Sequence, residues 1–393
     1  MDDSLVEPRA AERRWTWRIP AYILLPIYLM VIGVLLRYAV YVRTTNHWAF
    51  TDYLRSMCVY DCNAYERLSL NGYEGRPSGF DKGDANNWAF FPLYSILVWV
   101  INRVTGLSML VGGSVLTCLL SIWAAILSWP LFDGRFRAYV LFCAFLFIGP
   151  LSYYFATLYT EALFILLTVS GFVLLRQRNY VAAGLTGSLM SATRSTGLLF
   201  AAAILIAAFQ NHLKDGGGVR SFFRSIWKRT DLLLAVGLVP IGISVFAVYL
   251  WFHSGDALAF EHIQRAWGRA FQDPFGNLWA ALVVQFQVYN NYSSISTDLA
   301  FGLAAIIGIA LSAVMAWKGR WDWAIFSLFG VLLPLSTNTY SMIRFVAGLA
   351  PVLITASLLL SRWKWLFYLL LPAMLIADVF LLPVWTARNY YMM

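Results

Sequence analysis

The sequence predicts an all-α polytopic membrane protein, a single transmembrane domain over 1–393, and three observations carry that expectation. Of the residues 60% are hydrophobic and 12% charged, with a mean hydropathy of +0.65, against roughly 45–50% apolar and about 25% charged in soluble chains. Apolar windows approaching the ~20 residues that a crossing helix needs recur along the whole chain. One interval, Tyr60 to Tyr94, is too long, too polar and too aromatic for a connector, so a structured loop is expected beside the membrane helices.

In order, the windows lie near 20–42, 107–131, 138–155, 160–176, 180–193, 195–210, 231–252, 297–317, 323–336, 345–360 and 365–384, a bundle of about eleven spans. Arg9, Arg13, Arg14 and Arg18 precede the first, and no small-residue cleavage site follows it. That run therefore reads as an uncleaved first span leaving the cytoplasm, which puts the loop 43–106 outside. Segment 89–104 is apolar but short, and its path sets the orientation of everything after it. If it does not cross, Arg135, Arg137, Arg176, Arg178, the basic 211–230 loop, Lys318, Arg320, Arg362 and Lys364 all face the cytoplasm. The positive-inside bias asks for this, so 89–104 is expected to be re-entrant or interfacial, with Arg103 at its end as the contrary sign.

The windows 180–193 and 323–336 are shorter than a crossing and need shelter from neighbours or a watered cavity. The same parity gathers Asp61, Glu161, Arg194, the second outer loop 253–296 and Tyr340–Arg344 on the extracytoplasmic face, although none of these was used to set it. Charged groups near a membrane are costly, and several converging on one face point to a site. Gly216–Gly218 reads as a linker in the inner loop.

The net charge of +9 is assigned to cytoplasmic loops, and no nucleic-acid partner is expected. Cys58 and Cys62 are read as two free thiols on one helical face, with a disulfide as the alternative in an oxidising compartment. His47, His212, His253 and His262 show no ligand spacing, so no metal is expected. With no phosphate-binding glycine loop and no Gly-x-Ser-x-Gly elbow, ATP-driven transport and serine hydrolysis lack their parts. The triplet Asn291-Tyr292-Ser293 falls in the second outer loop, and such triplets arise often by chance.

Among the groups that could do chemistry, Asp61 sits in the long loop beside Tyr60, Tyr65, Tyr73 and Trp88. Its position suits a general base and a helix N-cap equally. Asp81 and Asp84 read as a solvated turn, and Asp52 as a partner of Arg55 one helical turn away. Arg194, between two apolar half-spans, requires an anion at that depth, and a planar guanidinium suits phosphate. The plainer reading is a pair with Glu161 or a snorkelling side chain. Arg344 offers the same choice.

These residues also carry a resemblance. Asp61, Tyr65, Leu68, Ser69, Gly72, Tyr73 and Ala89–Tyr94, then Tyr159–Phe164, Ala192–Gly197, Gly255–Phe260 with Gln264 and Trp267, and Tyr340–Phe345, follow one another in a fixed order. In this the chain resembles the second mannosyltransferase of GPI-anchor assembly and its shorter prokaryotic relatives, over about residues 20 to 360. It departs at Tyr60 where Trp is usual, at Ser95 where Pro is common, and at Ala162, Ala257 and Phe345 for Ser, Pro and Tyr; no charged group is lost.

The resemblance implies a GT-C-like bundle that moves a hexose, typically mannose, from a polyprenyl-phosphate carrier such as dolichyl phosphate mannose to a lipid-linked or glycan acceptor. Transfer would take place on the extracytoplasmic side, with the lipid-phosphate sugar as co-substrate and no other cofactor. Asp61 would be the general base and Arg194 and Arg344 the donor-phosphate ligands. Tyr60, Tyr65, Phe91, Pro92, Tyr159, Glu161, Asp256, Gln264, Trp267 and Tyr340 would form the pocket. The expected location is a multi-pass plasma membrane protein, the prokaryotic inner membrane first. The alternatives are a GT-C enzyme moving another sugar or a whole glycan, a flippase or transporter of lipid-linked sugars, and a scaffold subunit. A transporter commonly shows two related halves, and no such duplication is visible.

Overall fold

The structure is a computed structural model that describes residues 20–75, 87–267, 269–284 and 297–386, with the backbone alone at Ala266, Trp267, Val284 and Thr297. Asp81, Asp84 and the Asn291 triplet lie outside the described residues, as does the Trp267 side chain. The described chain is helical without a strand, and each predicted window is helical over most of its length. Among the described residues, six helical stretches are long and apolar enough to cross a membrane: Ala21–Thr45, Met109–Phe132, Ser195–Lys214, Thr230–Ser254, Asp298–Trp317 and Lys364–Thr386.

Helix α1 (Ala21–Thr45) closes at Asn46, which takes up the left-handed conformation (φ 58°) that an Asn tolerates. The first loop then folds into two helices, α2 (Phe50–Met57) and α3 (Asp61–Asn71). The expectation of free thiols is overturned here. Cys58 ends α2 and Cys62 lies in the first turn of α3, so they share a corner rather than one helical face, and a disulfide joins them across a Cα–Cα distance of 5.2 Å. Arg55 likewise pairs in a fork with Glu66 of α3 (Nη2 to Oε1 2.8 Å) rather than with Asp52, because α2 and α3 lie side by side.

The segment expected to be a partial helix is α4 (Pro92–Thr105), opened by a proline whose missing N–H costs nothing at that position. Its 14 residues span about 21 Å, less than the ~30 Å hydrocarbon core. It runs antiparallel to the first half of α5 (Met109–Ser128): the Tyr94 hydroxyl meets Thr117 Oγ1 at 2.6 Å, and Ile101 faces Gly112.

The core is built from α6 (Phe136–Phe147), α7 (Glu161–Arg176), α8 (Tyr180–Ser191) and α9 (Phe200–Lys214). Eleven of the 16 residues of α7 are buried and only Arg176 is exposed, so this short span is sheltered from lipid by α5, α8 and α9, as its length requires. The basic 211–230 loop holds a short amphipathic helix, α10 (Val219–Ile226), with Phe222 as its buried residue. The window 231–252 divides at Pro240 into α11 (Thr230–Leu238) and α12 (Ile241–Ser254), since proline supplies no N–H to continue the ladder. The loop predicted over 253–296 contains α13 (Ala259–His262) and α14 (Pro274–Trp279). The chain ends in α15 (Thr297–Trp317), α16 (Trp321–Leu335), α17 (Met342–Ala347), α18 (Ala350–Leu360) and α19 (Lys364–Thr386).

Two features of the core escaped the sequence reading. Arg37 of α1 and Asp378 of α19 are both 0% exposed and form an ion pair at 3.2 Å. Arg37 Nη1 also donates to the Phe147 carbonyl (3.2 Å) and to Ser152, whose hydroxyl donates to Asp378 (2.8 Å). Gly33 permits this, because a Cβ there would sit 2.1 Å from the Phe147 carbonyl oxygen. Trp385, fully buried, donates to the Met57 carbonyl (2.9 Å) and packs against Tyr60, Tyr153, Tyr154 and Tyr159, tying the last helix to the first loop.

Candidate active site

Two carboxylates open two helices. Asp61 is the first residue of α3 and Glu161 the first of α7, positions where unpaired backbone N–H groups favour negative charge. Tyr60 turns the chain into α3 with a φ of 51°, and the neighbouring disulfide clamps the corner, so the Asp61 position is set by covalent and backbone geometry together. The N-cap of α3 is Tyr60 and no side chain caps it, so Asp61 does not serve as the cap. Its carboxylate instead receives the guanidinium of Arg344, 283 residues away in sequence.

Arg344 lies on the short helix α17, entered through Ser341 in the left-handed conformation (φ 64°). Arg194 stands at the break after α8, in extended conformation, just before the 3-10 turn Ser195–Leu199. Gly197 lets that turn fold back on α8, because a Cβ there would fall 2.3 Å from the Met190 carbonyl carbon.

Glu161 joins the two arginines. Its Oε1 accepts from Arg194 Nη2 and lies 3.2 Å from Arg344 Nε, in ion-pair contact without a hydrogen bond at that nitrogen. Arg194 Nε donates to Thr160 Oγ1 at 3.1 Å. The result is a continuous string, Asp61–Arg344–Glu161–Arg194–Thr160, assembled from four separate places: the starts of α3 and α7, the short helix α17 and the break after α8. Glu161 is 0% exposed and the two arginines 11% and 15%, whereas the Asp61 side chain, at 30%, is the most exposed of the four. Beside it, a cavity of about 540 Å³ is lined by Tyr60, Asn63, Glu66 and Arg67 of the α3 entrance.

The remaining candidates divide. Tyr159 donates to the Val59 carbonyl (2.8 Å) and lies under the Arg344 guanidinium (5.8 Å), so it supports the site directly. Tyr65 packs on Phe90 and Tyr94, and burial pushes its hydroxyl up to about 12, which keeps it protonated. Pro92 opens α4 next to Leu93, whose N–H reaches the Ala192 carbonyl (3.3 Å) and so ties α4 to the Arg194 break. Phe91 belongs to a separate apolar cluster with Phe246 and Phe260 that docks α13. Asp256 is occupied locally, by His262 (2.6 Å) and the Leu258 N–H (2.9 Å), and Tyr340 is half exposed and away from the string's contacts.

One residue was missed. Arg269, between α13 and α14, stacks over Phe345 (5.8 Å) and donates to Gln264 Oε1 (3.2 Å). A lone loop arginine has no periodicity to mark it; the adjacent candidates Gln264 and Trp267 were the only available sign.

No protein-family profile matches the chain, and no curated protein matches it. Among solved structures, the chain is similar to the oligosaccharyltransferase of Archaeoglobus fulgidus, crystallised with a tethered acceptor peptide, at 13% identity and a TM-score of 0.45 over 93% of this chain. The match spans 55% of that longer protein.

Proposed function

We propose that the protein is a GT-C glycosyltransferase that moves a hexose, mannose first among the choices, from a polyprenyl-phosphate carrier to a lipid-linked or glycan acceptor on the extracytoplasmic face. The observation that carries this reading is the Asp61–Arg344–Glu161–Arg194 string, a half-open carboxylate joined to guanidinium groups inside an apolar helical bundle. A glycosyl phosphate needs three things: a base for the acceptor hydroxyl, a site for its phosphate, and a path for its lipid. Asp61 is the base, Arg194 and Arg344 stabilise the departing phosphate, and the fixed positions of all three supply electrostatic preorganisation. The cavity at Tyr60, Asn63, Glu66 and Arg67 lies on the same helix start as Asp61, without Asp61 in its lining, and is the approach this reading assigns to a polar acceptor.

The test is transfer of radiolabelled mannose from polyprenyl-phosphate mannose by purified protein into a membrane-lipid extract, in wild type and Asp61→Asn. The variant is expected to lose about 100- to 10,000-fold in turnover while its unfolding midpoint stays put. Full turnover in the variant, or no transfer by the wild type from any monosaccharide carrier, would sink the reading.

A further inference from the structure

Phe345 is ringed by three guanidinium groups, with the Cζ atoms of Arg344, Arg269 and Arg194 at 5.5, 5.8 and 5.9 Å from its centroid. Two of them are in ion-pair contact with carboxylates, Arg344 with Asp61 and Glu161, and Arg194 with Glu161. Arg269 is in ion-pair contact with no carboxylate among the described residues. Its guanidinium rests on the ring and donates to the side-chain amide oxygen of Gln264 (3.2 Å), while the Gln264 backbone carbonyl accepts from the Arg269 backbone N–H (3.2 Å). Burial, and the like charge of Arg344, hold it below its ordinary range against the opposing attraction of Asp61.

We infer that Arg269 is the residue that receives the donor's phosphate, with Gln264 fixing its guanidinium over Phe345; this rests on the donor reading above. Three guanidinium groups against two carboxylates leave a single positive charge, and a glycosyl phosphodiester brings a single negative one. In the reaction the acceptor oxygen bonds to the anomeric carbon and its proton passes to Asp61. The carbon–oxygen bond to the phosphate breaks, and its electron pair leaves with the phosphate. Asp61 becomes neutral as the phosphate gains its second negative charge, so the site's total does not change. Arg344, released by the neutral Asp61, is then free to turn to the departing phosphate. The carboxylate that accepts the proton is thereby coupled to the cation that stabilises the leaving group.

The experiment is equilibrium binding of a short-chain polyprenyl monophosphate, the product-like probe, and of the matching polyprenol, to detergent-purified wild type, Arg269→Gln and Arg269→Lys. Wild type is expected to prefer the phosphate. Arg269→Gln should weaken phosphate binding by about 10- to 100-fold, flatten its salt dependence, and leave polyprenol binding unchanged. Arg269→Lys should retain part of the preference, because it keeps the charge and loses the planar fork. Unchanged phosphate affinity in Arg269→Gln overturns the inference while leaving the donor reading standing. A wild type that does not distinguish phosphate from alcohol overturns both.

Discussion

Arginine–carboxylate clusters occur at two levels of this bundle, and Trp385 packs between them. Below, Arg37 and Asp378 are wholly enclosed, bonded to Phe147 and Ser152, and linked by Tyr153, which stacks on Trp385. Above, Asp61, Arg344, Glu161 and Arg194 form a string with one end open to solvent, and Tyr60 and Tyr159 touch the other side of the same indole. Chemically the two clusters are alike. They differ in access: a closed pair can only hold helices together, whereas a carboxylate with a wet side can exchange a proton.

This contrast can be broken in several ways. Truncating one partner of the closed pair, by Arg37→Ala or Asp378→Ala, should destabilise the protein by about 3–5 kcal/mol, read as a lower midpoint of thermal unfolding in detergent. Replacing both with apolar residues of similar volume, as in the double variant Arg37→Met and Asp378→Leu, should restore most of that loss. If the double variant were as unstable as either single one, the pair would be more than a satisfied ion pair. For the open string the response should be inverted, with Asp61→Asn costing turnover and not stability; a variant that fails to fold would place Asp61 with Asp378.

A smaller effect is expected at the corner that orients Asp61. Removing the disulfide by Cys58→Ser with Cys62→Ser should cost about 2 kcal/mol, because the loop it closes is short, and turnover should fall along with the unfolding midpoint. Loss of stability without any change in turnover would separate the corner from the site. Smallest of all, Glu66→Gln should change stability by under about 1 kcal/mol, since its partner Arg55 is largely solvated. A larger shift would mean that the fork between α2 and α3 helps to seat α3.

Much of the helical layout was legible beforehand, because long apolar windows and charged loop ends are local properties. Asp61, Arg194 and Arg344 stood out for the same reason, as charges beside apolar stretches. Arg37 and Asp378 did not, since each interrupts a window too apolar for one charge to register, and each makes sense only beside the other. Cys58 and Cys62 were misjudged because their spacing fits one helical face until Tyr60 breaks the helix between them.

By itself, then, the order of residues determined that this chain would lie in a membrane, where it would be helical, and which few charges needed partners. Only the tertiary structure decided who those partners are. Asp61 meets Arg344 across 283 positions, Arg37 meets Asp378 across 341, and Arg269 joins Arg194 and Arg344 around one phenyl ring. Hydrophobic pattern acts over a few turns of helix, while an ion pair in a low-dielectric interior depends on which helices pack against each other.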